Sequence, residues 1–136
     1  MGSAVRCLIV DDSASFRRAA LTMLERGGIT VVGLAANSAE AIRCYTELRP
    51  DVTLVDVDLG LESGFDLVEQ LYTSGSPKPT PVILISAHAE QDFAELIAAS
   101  PALGFLSKIG LSPGAIVDLV RSHGKSDRRV SEPPER

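Results

Sequence analysis

A chain of 136 residues is one domain's worth of protein, with 45% apolar and 23% charged residues, as in soluble globular domains. Its formal net charge of −5 argues against a nucleic-acid surface covering the molecule, because neutralising phosphates needs a basic face. The longest apolar stretches, such as Leu8–Val10 and Pro81–Ile85, fall far short of the roughly 18 residues of a membrane span. Paired aspartates at Asp11 and Asp12 follow so short an apolar run that a secretory leader is not expected. Two cysteines, Cys7 and Cys44, make neither a disulfide framework nor a zinc site. They read as buried free thiols in a reducing, hence cytoplasmic, compartment.

Short β-branched runs alternate with helical patterns five times. Val5–Val10 predicts a first strand buried on both faces. Ser13 caps a helix carrying Phe16, Ala20, Met23 and Leu24, which Gly27 and Gly28 stop. Thr30–Ala36 predicts a second strand. Asn37, with Glu40 three residues on, resembles a capping box for a helix with Ala41, Ile42, Tyr45 and Leu48 on one stripe, ended by Pro50. Val52–Val57 is the third strand, and a loop through Gly60 leads to Ser63, the cap of a helix carrying Leu67, Val68 and Leu71. Gly75, Pro77 and Pro79 mark 74–80 as a connecting loop. Val82–Ser86 is the fourth strand, followed by a helix over Glu90–Ala99 with Phe93, Leu96 and Ile97 inward, stopped near Pro101. Leu103–Leu106 is the fifth strand. Ser112 and Pro113 then supply a cap and a first-turn proline for a last helix carrying Ile116, Leu119 and Val120.

These elements predict a folded domain over residues 1–123. From Gly124 to Arg136 the only aliphatic residue is Val130, too little apolar area to offset ordering entropy, so 124–136 is expected to be a disordered tail or a truncated linker. Alternating strands and helices imply an α/β, doubly wound parallel sheet with right-handed crossovers. In such sheets ligands sit beyond the carboxyl ends of the strands, where strand order reverses.

At those ends stand Asp11 and Asp12, Asp56 with Asp58 two residues on, Ser86, and Lys108. Two unit charges about 4 Å apart repel by roughly 4 kcal/mol at an effective dielectric near 20. Asp11, Asp12 and Asp56 therefore cannot all stay ionised together without compensation. A hard divalent cation with oxygen ligands, Mg²⁺, supplies it, and Lys108 and the Ser86 hydroxyl can then hold a further anion. A carboxylate nucleophile, Mg²⁺, a hydroxyl and a lysine are the parts that phosphoryl transfer to an aspartate requires.

In this respect the chain resembles the receiver domains of two-component response regulators, from about Val5 to Ser122. The resemblance rests on the acidic pair in LIVDDS, the aspartate in LVDVDLGLESG, the hydroxyl in ILISAH and the lysine in GFLSK, in that order, each at the end of its own strand. It implies a flavodoxin-like (βα)5 fold with strand order 2-1-3-4-5 and a signalling switch of a bacterial phosphorelay, with no catalysis beyond its own phosphotransfer and autodephosphorylation. By position, Asp56 becomes the phosphoacceptor. Asp12, Asp56 and the backbone carbonyl of Asp58 become Mg²⁺ ligands, with Asp11 acting largely through water. Lys108 pairs with the phosphoryl oxygens, and Ser86 and the backbone N–H of Ala87 contact the phosphoryl group on activation. Phe105 stands where the family carries a switching aromatic, and Asp58 and His88 are candidates to tune the lifetime of the phosphoryl group. The implied partners are a histidine kinase or phosphotransfer protein and an output domain or protein on the face formed by the fourth helix, the fifth strand and the last helix. A homodimer is a further option, with no direct nucleic-acid or membrane binding.

Three departures from the family pattern carry expectations. Ile109 stands where proline usually follows the lysine, Gly60 where proline is common, which predicts a looser loop, and Pro101 where glycine often ends the fourth helix, which predicts a shortened or bent helix. Two other readings compete. Asp56-Val57-Asp58 also resembles the DxD motif of haloacid-dehalogenase-type phosphatases, although that motif normally lies on a first strand. A phosphorylation-independent pseudo-receiver that only binds a partner is the third. Phe16, Phe65, Phe93, Tyr45 and Tyr72 read as core or helix-surface residues without special roles.

Overall fold

The computed structural model describes residues 4–75 and 78–131. Five strands, β1 (Arg6–Val10), β2 (Thr30–Ala35), β3 (Val52–Asp56), β4 (Val82–Ser86) and β5 (Gly104–Ser107), form one parallel sheet in the order β2-β1-β3-β4-β5. The helices between them are α1 (Ala14–Arg26), α2 (Ser38–Leu48), α3 (Gly64–Ser74) and α4 (Ala94–Ala99), and α5 (Pro113–Ser131) closes the chain. This is the flavodoxin-like architecture expected from the alternation and the resemblance. Cys7 is buried and Cys44 half-buried, both as free thiols.

The side-chain period of two divides the core. Leu8, Val10, Val55 and Leu84 point to one face of the sheet, where Tyr45 of α2 and Leu67 and Leu71 of α3 cover them. Cys7, Ile9, Leu54, Ile83 and Ile85 point to the other, against Ala20 and Leu24 of α1 and Ile116 of α5. Strands β3 and β4 are buried at every residue, and β1 at every residue but Arg6, which is why all three read as nearly continuous apolar runs. Side chains cap the helices as their sequences predict. The hydroxyls of Ser13, Ser63 and Ser112 and the Asn37 carbonyl oxygen accept the backbone N–H groups of Phe16, Phe65, Ala115 and Glu40, respectively.

Three segments differ from the sequence expectation. The helix over Glu90–Ala99 begins as a 3₁₀ turn, Glu90–Phe93, and is α-helical only over Ala94–Ala99, with no side-chain cap. Phe93, in the turn before this short helix, packs against the core and Ile97 is half-buried, whereas Leu96 is 53% exposed. The loop after β3 carries an antiparallel hairpin, Asp58–Leu59 against Glu62–Ser63. Gly60 turns it at φ 74°, a conformation open to glycine and costly for most other residues. Helix α5 runs to Ser131, through the first part of the segment whose composition suggests a tail. No proline interrupts it before Pro133, and Gly124 alone costs only about 1 kcal/mol. Residues 132–136, and residues 76 and 77 of the connecting loop, lie outside the described residues.

Gly64 opens α3 directly against the end of β3. A Cβ there would overlap the Asp56 carbonyl oxygen and stand 2.8 Å from the Val57 Cα, both backbone atoms that cannot swing aside. Gly64→Ala is therefore expected to lower stability by about 1–3 kcal/mol, read as a drop in the urea midpoint at unchanged slope. An unchanged midpoint would show that the two segments are less tightly apposed.

Candidate functional site

The strand order reverses between β1 and β3, and the carboxyl ends of these neighbours open a cleft at the sheet's edge. Asp11 and Asp12 directly follow β1, Asp56 ends β3, and Lys108 directly follows β5. Carboxylate oxygens of Asp11, Asp12 and Asp56 all lie within 4.8 Å of one another. Asp11 and Asp56 are buried, whereas Asp12 is exposed.

Lys108 reaches across the cleft from β5. Its Nζ lies 2.7 Å from Asp11 Oδ2 and donates a hydrogen bond to Asp56 Oδ2 at 3.1 Å. At 2.7 Å the contact with the buried Asp11 oxygen is a close, charge-assisted ion pair. The other oxygen of each acid is tied locally: Asp11 Oδ1 accepts the Ser13 N–H at 2.8 Å and Asp56 Oδ1 the Asp58 N–H at 3.1 Å. Arg17 from α1 donates to the Asp11 carbonyl at 2.6 Å and fixes the bend after β1.

The electrostatics are unbalanced. Burial pushes the Asp56 carboxyl from 3.8 up to about 6, with the Asp11 charge adding to the rise and the Asp58 N–H and the Lys108 ammonium opposing it. Burial works against the Lys108 ammonium, but its hydrogen bonds and charge pairing with Asp11 and Asp56 outweigh that and hold its pKa above the ordinary value. One lysine among three acids leaves net negative charge. The donor set is all oxygen, with one exposed carboxylate open to water, and it fits a hard divalent cation.

Ser86 ends β4 and is buried; its Oγ accepts the His88 N–H at 2.9 Å, and its carbonyl accepts the Lys108 N–H at 2.8 Å. Ala87 and His88 are exposed beside it, and the His88 ring meets Phe93 edge-on at 6.3 Å. Phe105 is half-buried with its ring 6.3 Å from Phe93, which lies 6.0 Å from Phe65. Asp58 is exposed in the hairpin, and among the described residues its side chain is not part of the carboxylate cluster. The peptide N–H of Ile109, which a proline would lack, donates to Ser107 Oγ at 3.1 Å and closes the turn after Lys108.

Sequence reasoning missed Phe16 and Arg17. The Phe16 ring lies under Lys108, 4.1 Å from Nζ to the ring centroid. The available signal was the spacing from the Ser13 cap, which puts residues 16 and 17 on the first turn of α1, immediately beyond the acidic pair.

The model of the response regulator receiver domain family matches residues 7–121. A protein-glutamate methylesterase/protein-glutamine glutaminase of Archaeoglobus fulgidus is 32% identical over 115 residues, 85% of this chain and 32% of that protein. One from Alkalilimnicola ehrlichii is 42% identical over 84 residues, 61% of this chain and 21% of that protein. The chain thus spans about a fifth to a third of the curated relatives it matches. Among solved structures, the signal receiver domain of NarL from Mycobacterium tuberculosis superposes with a TM-score of 0.77 at 29% identity, covering 88% of this chain and 98% of that one. A LuxR-family two-component response regulator from Aurantimonas gives a TM-score of 0.75 at 26% identity, covering 88% and 84%.

The raised Asp56 pKa fixes the sign of a pH effect. The fold favours the protonated carboxyl, so this group's contribution to stability is full below about pH 4 and is lost as pH rises through about 6. In chelator-treated protein, Asp56→Asn is expected to raise stability by about 1–2 kcal/mol at pH 7.5, the two proteins converging toward pH 4. Urea unfolding across that range checks it, and a variant less stable than the parent at pH 7.5 would contradict it.

Proposed function

Because the chain belongs to the response regulator receiver domain family, we propose that its acidic cleft is a phosphorylation switch in which Asp56 accepts a phosphoryl group from a histidine kinase or phosphotransfer protein. The observation that carries this reading is the Lys108 ammonium set between Asp56 and Asp11 at 3.1 and 2.7 Å, with the exposed Asp12 completing the cluster.

In this reading an Asp56 oxygen attacks the phosphorus of a phosphohistidine. The P–N bond breaks, and its electron pair leaves with the imidazole. Asp12 and Asp56, with the Asp58 carbonyl and with Asp11 through water, would hold Mg²⁺, which supplies charge neutralisation for the phosphoryl oxygens. Lys108 passes from the carboxylate to a phosphoryl oxygen, a short shift for an ammonium already 3.1 Å from Asp56 Oδ2. The Ser86 hydroxyl, which accepts the His88 N–H, would turn to donate its O–H to a phosphoryl oxygen, and the Ala87 N–H adds a second donor. Releasing His88 loosens its edge contact with Phe93 and so the packing of Phe93 on Phe105, which offers a route to the α4-β5-α5 face. An output domain or protein, or a second copy of the chain, would read that face.

The phosphatase reading of Asp56-Val57-Asp58 has less support, since an exposed Asp58 outside the cluster is poorly placed as general acid. Among the described residues no helix is long and apolar enough to cross a membrane, and a phosphohistidine donor points to the cytoplasm.

Incubation with a small-molecule phosphodonor tests the reading. Mass spectrometry should find one phosphoryl group per chain, dependent on Mg²⁺ and absent in Asp56→Ala; labelling elsewhere, or catalytic turnover of phosphate esters, would overturn it. His88→Ala is expected to change the aspartyl-phosphate half-life, because His88 is exposed two residues beyond Ser86 and its N–H is held by the Ser86 hydroxyl. Equal lifetimes in the variant and the parent would remove the histidine from the mechanism.

A further inference from the structure

We propose that Phe16 is a positioning residue for Lys108, its ring face holding the ammonium over the acceptor carboxylate while the charge there changes. The inference deepens the reading of Asp56 as phosphoacceptor and rests on it.

An ammonium has three N–H bonds and no fixed plane, on a stem of four flexible carbons. Asp56 and Asp11 occupy two sides of it at 3.1 and 2.7 Å. The Phe16 ring, 4.1 Å away, occupies a third, and the Lys108 side chain is only 19% exposed. A benzene face attracts a cation through its quadrupole and offers no lone pair to an anion. It can thus confine Nζ without competing with a phosphoryl oxygen for it.

The ring's position is tied to the acidic pair. Phe16 donates its N–H to Ser13 Oγ at 3.2 Å, and Ser13 donates its own to Asp11 Oδ1 at 2.8 Å. The next residue, Arg17, binds the Asp11 carbonyl at 2.6 Å. Asp11 therefore pairs with the ammonium and also anchors the helix turn that carries the ring. On the lysine side only the backbone is fixed, by the Ser86 carbonyl and the Ser107 hydroxyl. Neither of these constrains the side chain. When Asp56 is esterified, the partner that holds Nζ from one side becomes neutral at the linking oxygen, while Asp11 and the ring are unaltered, and of these two only the ring does not compete for the ammonium as an anion.

The test compares Phe16→Leu, which keeps apolar bulk and loses the π face, with Phe16→Trp, which restores the face. Labelling of Asp56 by a small phosphodonor at saturating Mg²⁺ should slow by about 3- to 10-fold in the Leu variant and stay within about twofold of the parent in the Trp variant. In metal-free parent protein the Lys108 ε-methylene protons should show an upfield ring-current shift by NMR, lost in Leu and kept in Trp. A labelled parent with an equally fast Leu variant, or a parent whose ε-methylene shifts are those of a free lysine, would overturn this proposal alone. An unlabelled parent would overturn the reading of Asp56 and this proposal with it. The NMR measurement on the parent stands even if a variant does not fold.

Discussion

The site depends on one lysine bridging from the edge of the sheet to two buried carboxylates. Lys108 follows β5, while Asp11 follows β1 and Asp56 ends β3, and β4 lies between them and the lysine. Its ammonium makes a buried acidic pair tolerable, and even so the Asp56 carboxyl is held well above its ordinary range by burial. A buried charge set compensated only in part is expensive to keep, and such imbalance marks functional sites more often than structural ones. Here the imbalance has a sign: the cleft lacks positive charge.

The rest of the fold can be understood as support for that arrangement. Strand order brings β1 and β3 side by side, and their carboxyl ends stay open because the connections leave on opposite faces of the sheet. Gly64 lets α3 begin against the Asp56 carbonyl. Ser13 and Arg17 hold the bend after β1, and the Ser107–Ile109 hydrogen bond closes the turn after Lys108 without proline. Each support is local, acting on an acid or on the chain immediately beside an acid or the lysine.

Much of this was legible in the sequence, for identifiable reasons. Strands such as Val82–Ser86 are buried on both faces, so an uninterrupted apolar run is unambiguous next to a helix with a 3.6-residue stripe. The acids and the lysine were found because each ends or follows a strand, and topology converts that order into proximity. What escaped was set by geometry with no periodic signature. Leu96 matched a helical stripe but lies on a helix too short to turn it inward. The hairpin at Asp58 depends on one left-handed glycine, and Phe16, which packs against the core as its stripe predicts, also meets a cation far along the chain that no periodicity announces. The extension of α5 to Ser131 shows the limit of a compositional argument: scarcity of apolar residues speaks against burial, not against helical backbone.

The central claim is that the cleft's surplus negative charge is there to be met by a divalent cation. Calorimetric titration of the metal-free chain with Mg²⁺ tests it most directly, because it reads charge compensation without any phosphodonor or kinase. The account predicts a single site, weakened by about tenfold or more when Asp12→Asn removes the exposed carboxylate. Absence of saturable binding, or an affinity indifferent to Asp12→Asn, would contradict it.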